Sequence, residues 1–355
     1  MKNNEIKNKF SFLNEGLYFI ADIGANHDGS LERAYKLIEL AKDAGANAAK
    51  FQNFKADKIV SKFGFENMKE KLSHQSNWKK SVYDVYEEAS LKDDWTVKLK
   101  QKCDEVGIDY FTSPYDFDSV DHADPFVSLY KIGSGDITWL EIIEYIAKKN
   151  KPVILATGAS NMEDIERAMS ILTKHTKNIV LMQCNTNYTG NSENFNFINL
   201  NVLKTYSNFY PEVILGLSDH TIGHTTVLGA IALGARIFEK HFTDDNNREG
   251  PDHKFAMNPK SWSEMVLRSK ELFASLGNGV KIVEPNEEKS QMVQRRSIRV
   301  NREIKKGEVI KYEDLVFLRP ITEDGFPPYK MNEIIGKIIT KDLLKGEHLS
   351  INNVR

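Results

Sequence analysis

Val213-Ile-Leu-Gly-Leu-Ser-Asp-His220 and Ala235-Arg-Ile-Phe-Glu-Lys-His-Phe242 are two short apolar runs that each lead into a histidine. Residues 213–217 and 235–238 have the length and boundaries of buried strands. Between them, residues 225–233 read as a short apolar helix. If the strands are parallel neighbours, His220 and His241 emerge at the same end of a sheet. Two imidazoles converging on one rim form half of a divalent-metal shell. Two ordinary polar residues at strand ends, satisfied by backbone, fit these stretches equally well. The rest of the chain decides between the two.

The same unit recurs upstream. Leu17–Ala21 reads as a buried strand that runs into the glycine-punctuated loop Asp22-Ile-Gly-Ala-Asn-His-Asp-Gly29, and a short strand over residues 9–13 precedes it. Ser30 caps a helix in which Ala34, Leu37, Ile38 and Ala41 keep helical spacing until Gly45. Further strands are expected over 48–52, 109–113, 129–132, 152–156 and 179–182. Helices are expected over 91–106, 140–149, 162–172, 200–206 and 261–276, and a charged, aromatic-bearing insertion fills 55–90. Eight strand–helix units in roughly 260 residues are the count and length of an α/β (β/α)8 TIM barrel. A doubly wound sheet uses the same alternation. Here, however, polar residues close nearly every strand rather than one switch point, and no GxGxxG opens the first helix.

Past the barrel the pattern changes. Residues 1–277 read as the barrel, 278–294 as a linker rich in glycine and charge, and 295–355 as a small β-rich domain with strands near 296–300 and 315–318. Residues 302–315 resemble residues 341–354 around a shared Lys-Gly-Glu turn, which points to internal pseudo-symmetry. About 60 residues give only a marginal core, so this module is expected to dock on something.

Bulk properties remove several classes of function. The net charge of -2 gives no basis for a nucleic-acid partner or an anionic membrane surface. No apolar run approaches the roughly 20 residues of a membrane span, and the N-terminus lacks the apolar core of a signal peptide. Two cysteines, Cys103 and Cys184, with no CxxC fit a reducing cytoplasm, and Cys184 reads as a buried structural thiol.

A barrel would bring to one mouth Asp22, Asn26 and His27; Lys50 and Gln52; Thr112 and Ser113; Lys131, Ser134 and Asp136; and Thr157. The later strands would add Asn185, Thr186 and Tyr188; Ser218, Asp219 and His220; Lys240 and His241; and Asp252. Buried lysines are costly unless they face anions. Lysines with hydroxyls and glycine-flanked amides suit a phosphate and a carboxylate. Two histidines with acids suit a metal that polarises a carbonyl. Taken singly, Lys50 and Lys131 could be ion-paired core lysines and Ser134 a turn former; recurrence at so many strand ends argues for a site.

Ile20-Ala-Asp-Ile-Gly-Ala-Asn-His-Asp-Gly29, Lys50-Phe-Gln52, Lys131-Ile-Gly-Ser-Gly135, Leu215-Gly-Leu-Ser-Asp-His220, Glu239-Lys-His-Phe-Thr243, Gly250-Pro-Asp252 and Arg319-Pro320 resemble the sialic acid (nonulosonic acid) synthase family. The C-terminal module is similar to that family's antifreeze-like (SAF) domain. The resemblance implies a cytoplasmic transferase that condenses phosphoenolpyruvate with an open-chain N-acylated hexosamine. N-acetylmannosamine and 2,4-diacetamido-6-deoxy hexoses both fit as acceptors. It implies a divalent ion on His220 and His241, Mn2+ first, with Mg2+ or Co2+ as alternatives. Lys50, Ser113, Lys131, Ser134, Thr186 and Ser218 match positions that grip phosphoenolpyruvate. Gln52, Asp136, Tyr188 and Asp252 match sugar contacts, and Asp22 matches the acid that handles the attacking water. The resemblance thus implies Asp22, Lys50, Lys131 and Asp136 as the catalytic set. The family likeness further implies a domain-swapped homodimer in which Arg319 completes the partner's sugar site.

The sequence departs from the family pattern in four places. Asp22 and Asp136 stand where glutamate is usual, shortening each reach by roughly 1.5 Å. Ala156 replaces a serine. The loop Asn185-Thr-Asn-Tyr-Thr189 lacks the usual acid and proline, and the loop over 319–328 is longer than usual. Two other readings stay open: a 3-deoxy-ulosonate synthase acting on another aldose, and a catalytically inactive barrel that serves as a binding protein.

Overall fold

Residues 18–22 are buried at every position because this strand has neighbours on both edges and helices behind it. This is β1 (Tyr18–Asp22), and β2 (Ala48–Asn53), β3 (Asp109–Pro114), β4 (Tyr130–Ile132), β5 (Val153–Ala156), β6 (Ile179–Cys184), β7 (Ile214–Asp219) and β8 (Ile237–His241) follow it in order. All pair in parallel, and β8 returns to β1 to close an eight-stranded barrel. The computed structural model describes residues 16–68, 75 and 78–355. The strand expected over 9–13 lies outside the described residues. Within the described residues, the contacts divide into two compact units between Gly277 and Asn278.

Local chemistry sets the helices around the barrel. Ser30 Oγ accepts the Arg33 amide at 3.3 Å to start the helix Leu31–Asp43, which buries Ala34, Leu37, Ile38 and Ala41, and the chain turns at Gly45 with φ +94°. The helix Trp95–Val106 buries Trp95, Leu99 and Cys103 and stops at Gly107, also left-handed. Two features depart from the sequence expectation. A short helix, Phe117–Ala123, follows β3, capped by Asp116; seven residues are too few to display helical spacing. Strands β7 and β8 also run past their apolar residues, because Ser218, Glu239 and His241 are buried polar groups that the barrel mouth satisfies or uses.

Register fixes which residues share a level. Asp22 lies beside Lys50 on β2 and beside His241 on β8, so these three form one row across adjacent strands. One step lower, Ser218 lies beside Glu239.

The second unit carries the antiparallel pair β9 (Ser297–Val300) and β10 (Leu315–Leu318). Its repeat is visible in the backbone: Ile304 bridges Leu343, its equivalent in the other half. Gly307 and Gly346 take φ +91° and +90° in matching turns. In each turn the following glutamate accepts a backbone amide three residues back, Glu308 from Lys305 and Glu347 from Leu344. Its core is nine buried aliphatic residues, among them Ile298, Val300, Ile310, Ile339 and Leu349. The segment expected as a linker contains a helix, Glu288–Gln294.

Inside the barrel Gly216 is a packing requirement. A Cβ there would lie 2.8 Å from Met182 Cγ and 2.9 Å from the Ile237 carbonyl oxygen. Backbone cannot yield as a flexible side chain can. Gly216→Val is therefore expected to destabilise the barrel by about 1–3 kcal/mol, read as a lower midpoint in thermal or urea denaturation. An unchanged midpoint would refute the packing argument.

Candidate active site

At the carboxyl ends of the strands the barrel opens into a cavity of about 330 Å³. Its wall carries Asp22 from β1, Lys50 and Gln52 from β2, Ser113 from β3, Lys131 from β4 and Ser134 and Asp136 from the turn after it. Tyr188 after β6, Ser218 and His220 at β7, and Glu239 and His241 on β8 complete the ring. Where a strand contributes two residues, as with Lys50 and Gln52, Ser218 and His220, and Glu239 and His241, they are two apart, the period with which side chains return to one face. The same period turns the intervening residues away. Lys240 pairs with Asp219, which also accepts from Thr226 Oγ1 at 2.6 Å in the first turn of the helix behind β7. The expectation that Asp219 and Lys240 face the mouth is thus corrected. Thr112 bonds to Asn53 and the Phe51 carbonyl, and Asn26 to the Phe242 carbonyl. His27 packs on Trp95, and Thr157 bonds Tyr206. These four are also absent from the cavity wall.

Thr186 and Asn185 face a neighbouring cavity of about 990 Å³ that shares Cys184 with the first. The larger space is lined by neither lysine nor histidine, so the charged chemistry belongs to the smaller one. Asp252 is not part of the smaller cavity's wall but lies 3.6 Å from His241 Nδ1. Arg319 belongs to the second unit. Cys103 and Cys184 are free and buried.

The electrostatics are those of a closed circuit. Lys50 Nζ donates to Asp22 Oδ2 at 2.7 Å, and Lys131 Nζ lies 3.1 Å from Glu239 Oε1. Lys50 is also 3.9 Å from Glu239 Oε2, and Ser218 Oγ donates to Glu239 Oε1 at 3.0 Å. All four charged residues are no more than 4% exposed. Burial pushes the Asp22 and Glu239 carboxyls up, but the lysine charges outweigh it and hold both below the usual carboxylate range. Burial depresses Lys50, and Asp22 and Glu239 more than restore it. Both acids and Lys50 are therefore ionised at neutral pH. Asp136 behaves differently: burial raises it to about 6, against a smaller opposing pull from Lys131.

His220 and His241 have ring centres 5.5 Å apart, flanked by Tyr188 at 4.3 Å from His220 and Phe255 at 5.0 Å from His241. Burial, and then the neighbouring His241, push His220 down to about 4, so it is a neutral imidazole. Its Nδ1 bonds to the Asn185 carbonyl at 2.8 Å, which leaves the Nε2 lone pair for a ligand. His241 Nδ1 is buried without a hydrogen-bond partner. The two imidazoles, 5.5 Å apart, fit a divalent ion. Among the described residues no group of three or more His, Cys, Asp or Glu is already gathered as a metal shell; His220 and His241 are the residues that would hold the ion. Ser113 Oγ and Glu239 Oε2 in the same cavity are likewise buried without hydrogen-bond partners.

Sequence reasoning missed Glu239, Tyr86 and Tyr115 on this wall. Glu239 was legible: it stands two residues before His241, so whatever turns one to the mouth turns the other. Tyr86 comes from the helix Val82–Ala89 inside the 55–90 insertion, where no strand period could place it.

A NeuB family model matches residues 37–281, and a SAF domain model matches residues 295–355. The chain belongs to the NeuB family. It is 35% identical to the N,N'-diacetyllegionaminic acid synthase of Campylobacter jejuni over 92% of this chain and 97% of that protein. It is 32% identical to a pseudaminic acid synthase of the same species over 96% and 97%. The crystal structure of the N-acetylneuraminic acid synthetase of Leptospira borgpetersenii, in complex with citrate, superimposes with a TM-score of 0.67 at 28% identity, covering 77% of this chain and 90% of that one. The NeuB match covers β2 to β8, and with them all the cavity residues named above except Asp22.

Asp136 gives a test of the site's electrostatics. Its folded value of about 6 lies above the ordinary 3.8. The stability this raised value contributes is fully present below pH 3.8 and is lost as pH rises through about 6. Asp136→Asn keeps a neutral group at every pH. Its stability relative to the parent should therefore rise between those limits and level off above them, by roughly 3 kcal/mol in total. Urea denaturation of both proteins across this range measures it; a difference independent of pH would refute the raised value.

Proposed function

We propose that this chain condenses phosphoenolpyruvate with the open-chain aldehyde of an N-acylated hexosamine and water, giving a nonulosonic acid and phosphate. The observation that carries this reading is the convergence of Lys50, Lys131, His220 and His241 on one cavity. In the reaction C3 of phosphoenolpyruvate bonds to the aldehyde carbon. Water then adds at C2, and the C2–O bond to phosphate breaks.

The residues divide this work. Lys50 and Lys131, with Ser113, Ser134 and Ser218, hold the carboxylate and phosphate of phosphoenolpyruvate; Thr186 joins them from the adjoining wall. Asp22 is ionised and lies 2.7 Å from Lys50 and 3.3 Å from Gln52, where it can orient the water that adds at C2. Asp136, near pH 6, is able to carry a proton to the developing alkoxide. Gln52, Tyr188 and Asp252 line the acceptor's path. His220 and His241 would hold a divalent cation, Mn2+ first among candidates. Such an ion supplies Lewis-acid polarisation of the sugar aldehyde.

The acceptor class favoured is a 2,4-diacetamido-6-deoxy hexose, since the relatives at 32–35% identity are named legionaminic and pseudaminic acid synthases. An aldose phosphate is disfavoured. Among the described residues of the cavity wall, Lys50 and Lys131 are the fixed cations, and both face phosphoenolpyruvate in this scheme. We take the enzyme to act in the cytoplasm, a reading that its two free thiols support. It is taken to act as a homodimer in which the C-terminal unit of one chain reaches the site of its partner with Arg319.

Three measurements test this. Phosphate release from phosphoenolpyruvate and Mn2+ with a panel of N-acyl hexosamines should be strongest with the diacetamido sugars; release with arabinose 5-phosphate alone would overturn the acceptor class. Replacing His220 or His241 by alanine should lower kcat by at least about 100-fold, and full activity in chelator would remove the metal role. Arg319→Ala should raise the acceptor KM more than the phosphoenolpyruvate KM; the reverse would place Arg319 elsewhere.

A further inference from the structure

Beside the mouth, two loops are fastened to each other by a histidine that the reaction scheme does not use. His253 is wholly buried. Its Nε2 lies 2.9 Å from Asp28 Oδ1 and its Nδ1 2.7 Å from Thr243 Oγ1. A carboxylate only accepts, so Nε2 carries a proton and donates it to Asp28. The ring lies flush on Gly250, where a Cβ would come within 2.6 Å of it. Asp28 takes the left-handed φ of 51° and is also held by Arg33 at 3.0 Å. Arg33 forms a two-pronged pair with Asp244, at 2.9 and 2.6 Å. Thus the loop after β1 and the loop after β8 are clamped from both sides.

The neighbour of His253 is Asp252, whose Oδ2 accepts the Ala25 amide at 3.3 Å and lies 3.6 Å from His241 Nδ1. Gly24, with φ +48°, gives way to both: a Cβ there would sit 2.9 Å from Asp252 Oδ2 and 3.2 Å from the His241 ring. A carboxylate on a loop is placed only as well as the loop is held.

We infer that His253 is a positioning residue: through Asp28 and Thr243 it locks the β8 loop onto the β1 loop and so sets Asp252 at the acceptor end of the site. This rests on the proposed acceptor role of Asp252. The clamp itself rests on geometry alone.

Two amide variants separate the two ring nitrogens. His253→Gln keeps a donor near the position of Nε2, and His253→Asn keeps one near that of Nδ1 and loses Asp28. Asp28→Asn weakens the same bond from the other side: it removes the carboxylate charge and leaves a single carbonyl oxygen to serve both His253 and Arg33, and asparagine tolerates the left-handed backbone. His253→Asn and Asp28→Asn should each raise the acceptor KM about tenfold, with the phosphoenolpyruvate KM within about twofold. His253→Gln should restore most of the loss. Equal changes in both KM values, or equal loss in the Gln and Asn variants, would overturn the positioning role. Hydrogen–deuterium exchange needs no turnover and tests the clamp directly. Residues 23–29 and 246–256 should exchange faster together in His253→Asn and Asp28→Asn, and unchanged exchange would overturn the clamp. A parent enzyme that releases no phosphate with any hexosamine would instead sink the proposed function, while exchange still decides the clamp. If His253→Asn does not fold, Asp28→Asn, on a partly exposed residue, carries the same test.

Discussion

Four formal charges lie almost out of water in the mouth of this barrel, and the structure depends on their being balanced. Removing an ion from water costs several kcal/mol even after relaxation. Lys50 and Lys131 are tolerated because Asp22 and Glu239 face them at 2.7 and 3.1 Å. The balance depends on register: Asp22 and Lys50 are paired neighbours in the sheet, and Glu239 is set one level lower on β8. A one-residue slip of any of these strands would turn its charge into the helix layer and leave its partner alone. The polar rim that does the chemistry therefore also enforces the register of the barrel.

A balanced site is not a saturated one. Ser113 Oγ, Glu239 Oε2 and His241 Nδ1 are buried without hydrogen-bond partners in the same cavity where the lysines are matched. Structures seldom leave such atoms unpaired without reason. Their positions, on β3 and on two levels of β8, outline a volume that a polar ligand would complete.

The barrel was legible because strand and helix periods alternate cleanly from residue 17 onward, and the mouth because strand after strand ends in polar residues. What was not legible came from two sources. Listing every polar residue near a strand end ignores the period of two, so Asp219 and Lys240 entered with Ser218 and His241 although the pleat sends them to opposite faces. Applying that period strictly would have excluded them and admitted Glu239. The second source is the 55–90 insertion, which delivers Tyr86 to the wall from a helix. No local pattern specifies where an insertion folds back, since its position is decided by packing against the barrel.

Asp22 shows how a shortened side chain can be made to serve. An aspartate brings its carboxylate closer to its own backbone than a glutamate does, and here Oδ1 accepts the Gly24 amide at 3.0 Å. That bond fixes one oxygen and directs the other at Lys50, Gln52 and, at 3.5 Å, the His241 ring. Gly24 can present its amide because φ of +48° is accessible to glycine at little cost, and because it has no Cβ to meet Asp252 and His241. A longer acid at this position would project past the amide into the cavity and trade a fixed orientation for reach. The shorter residue gives the opposite result: a carboxylate held low in the wall, pre-aimed, with the space above it free for substrate and water.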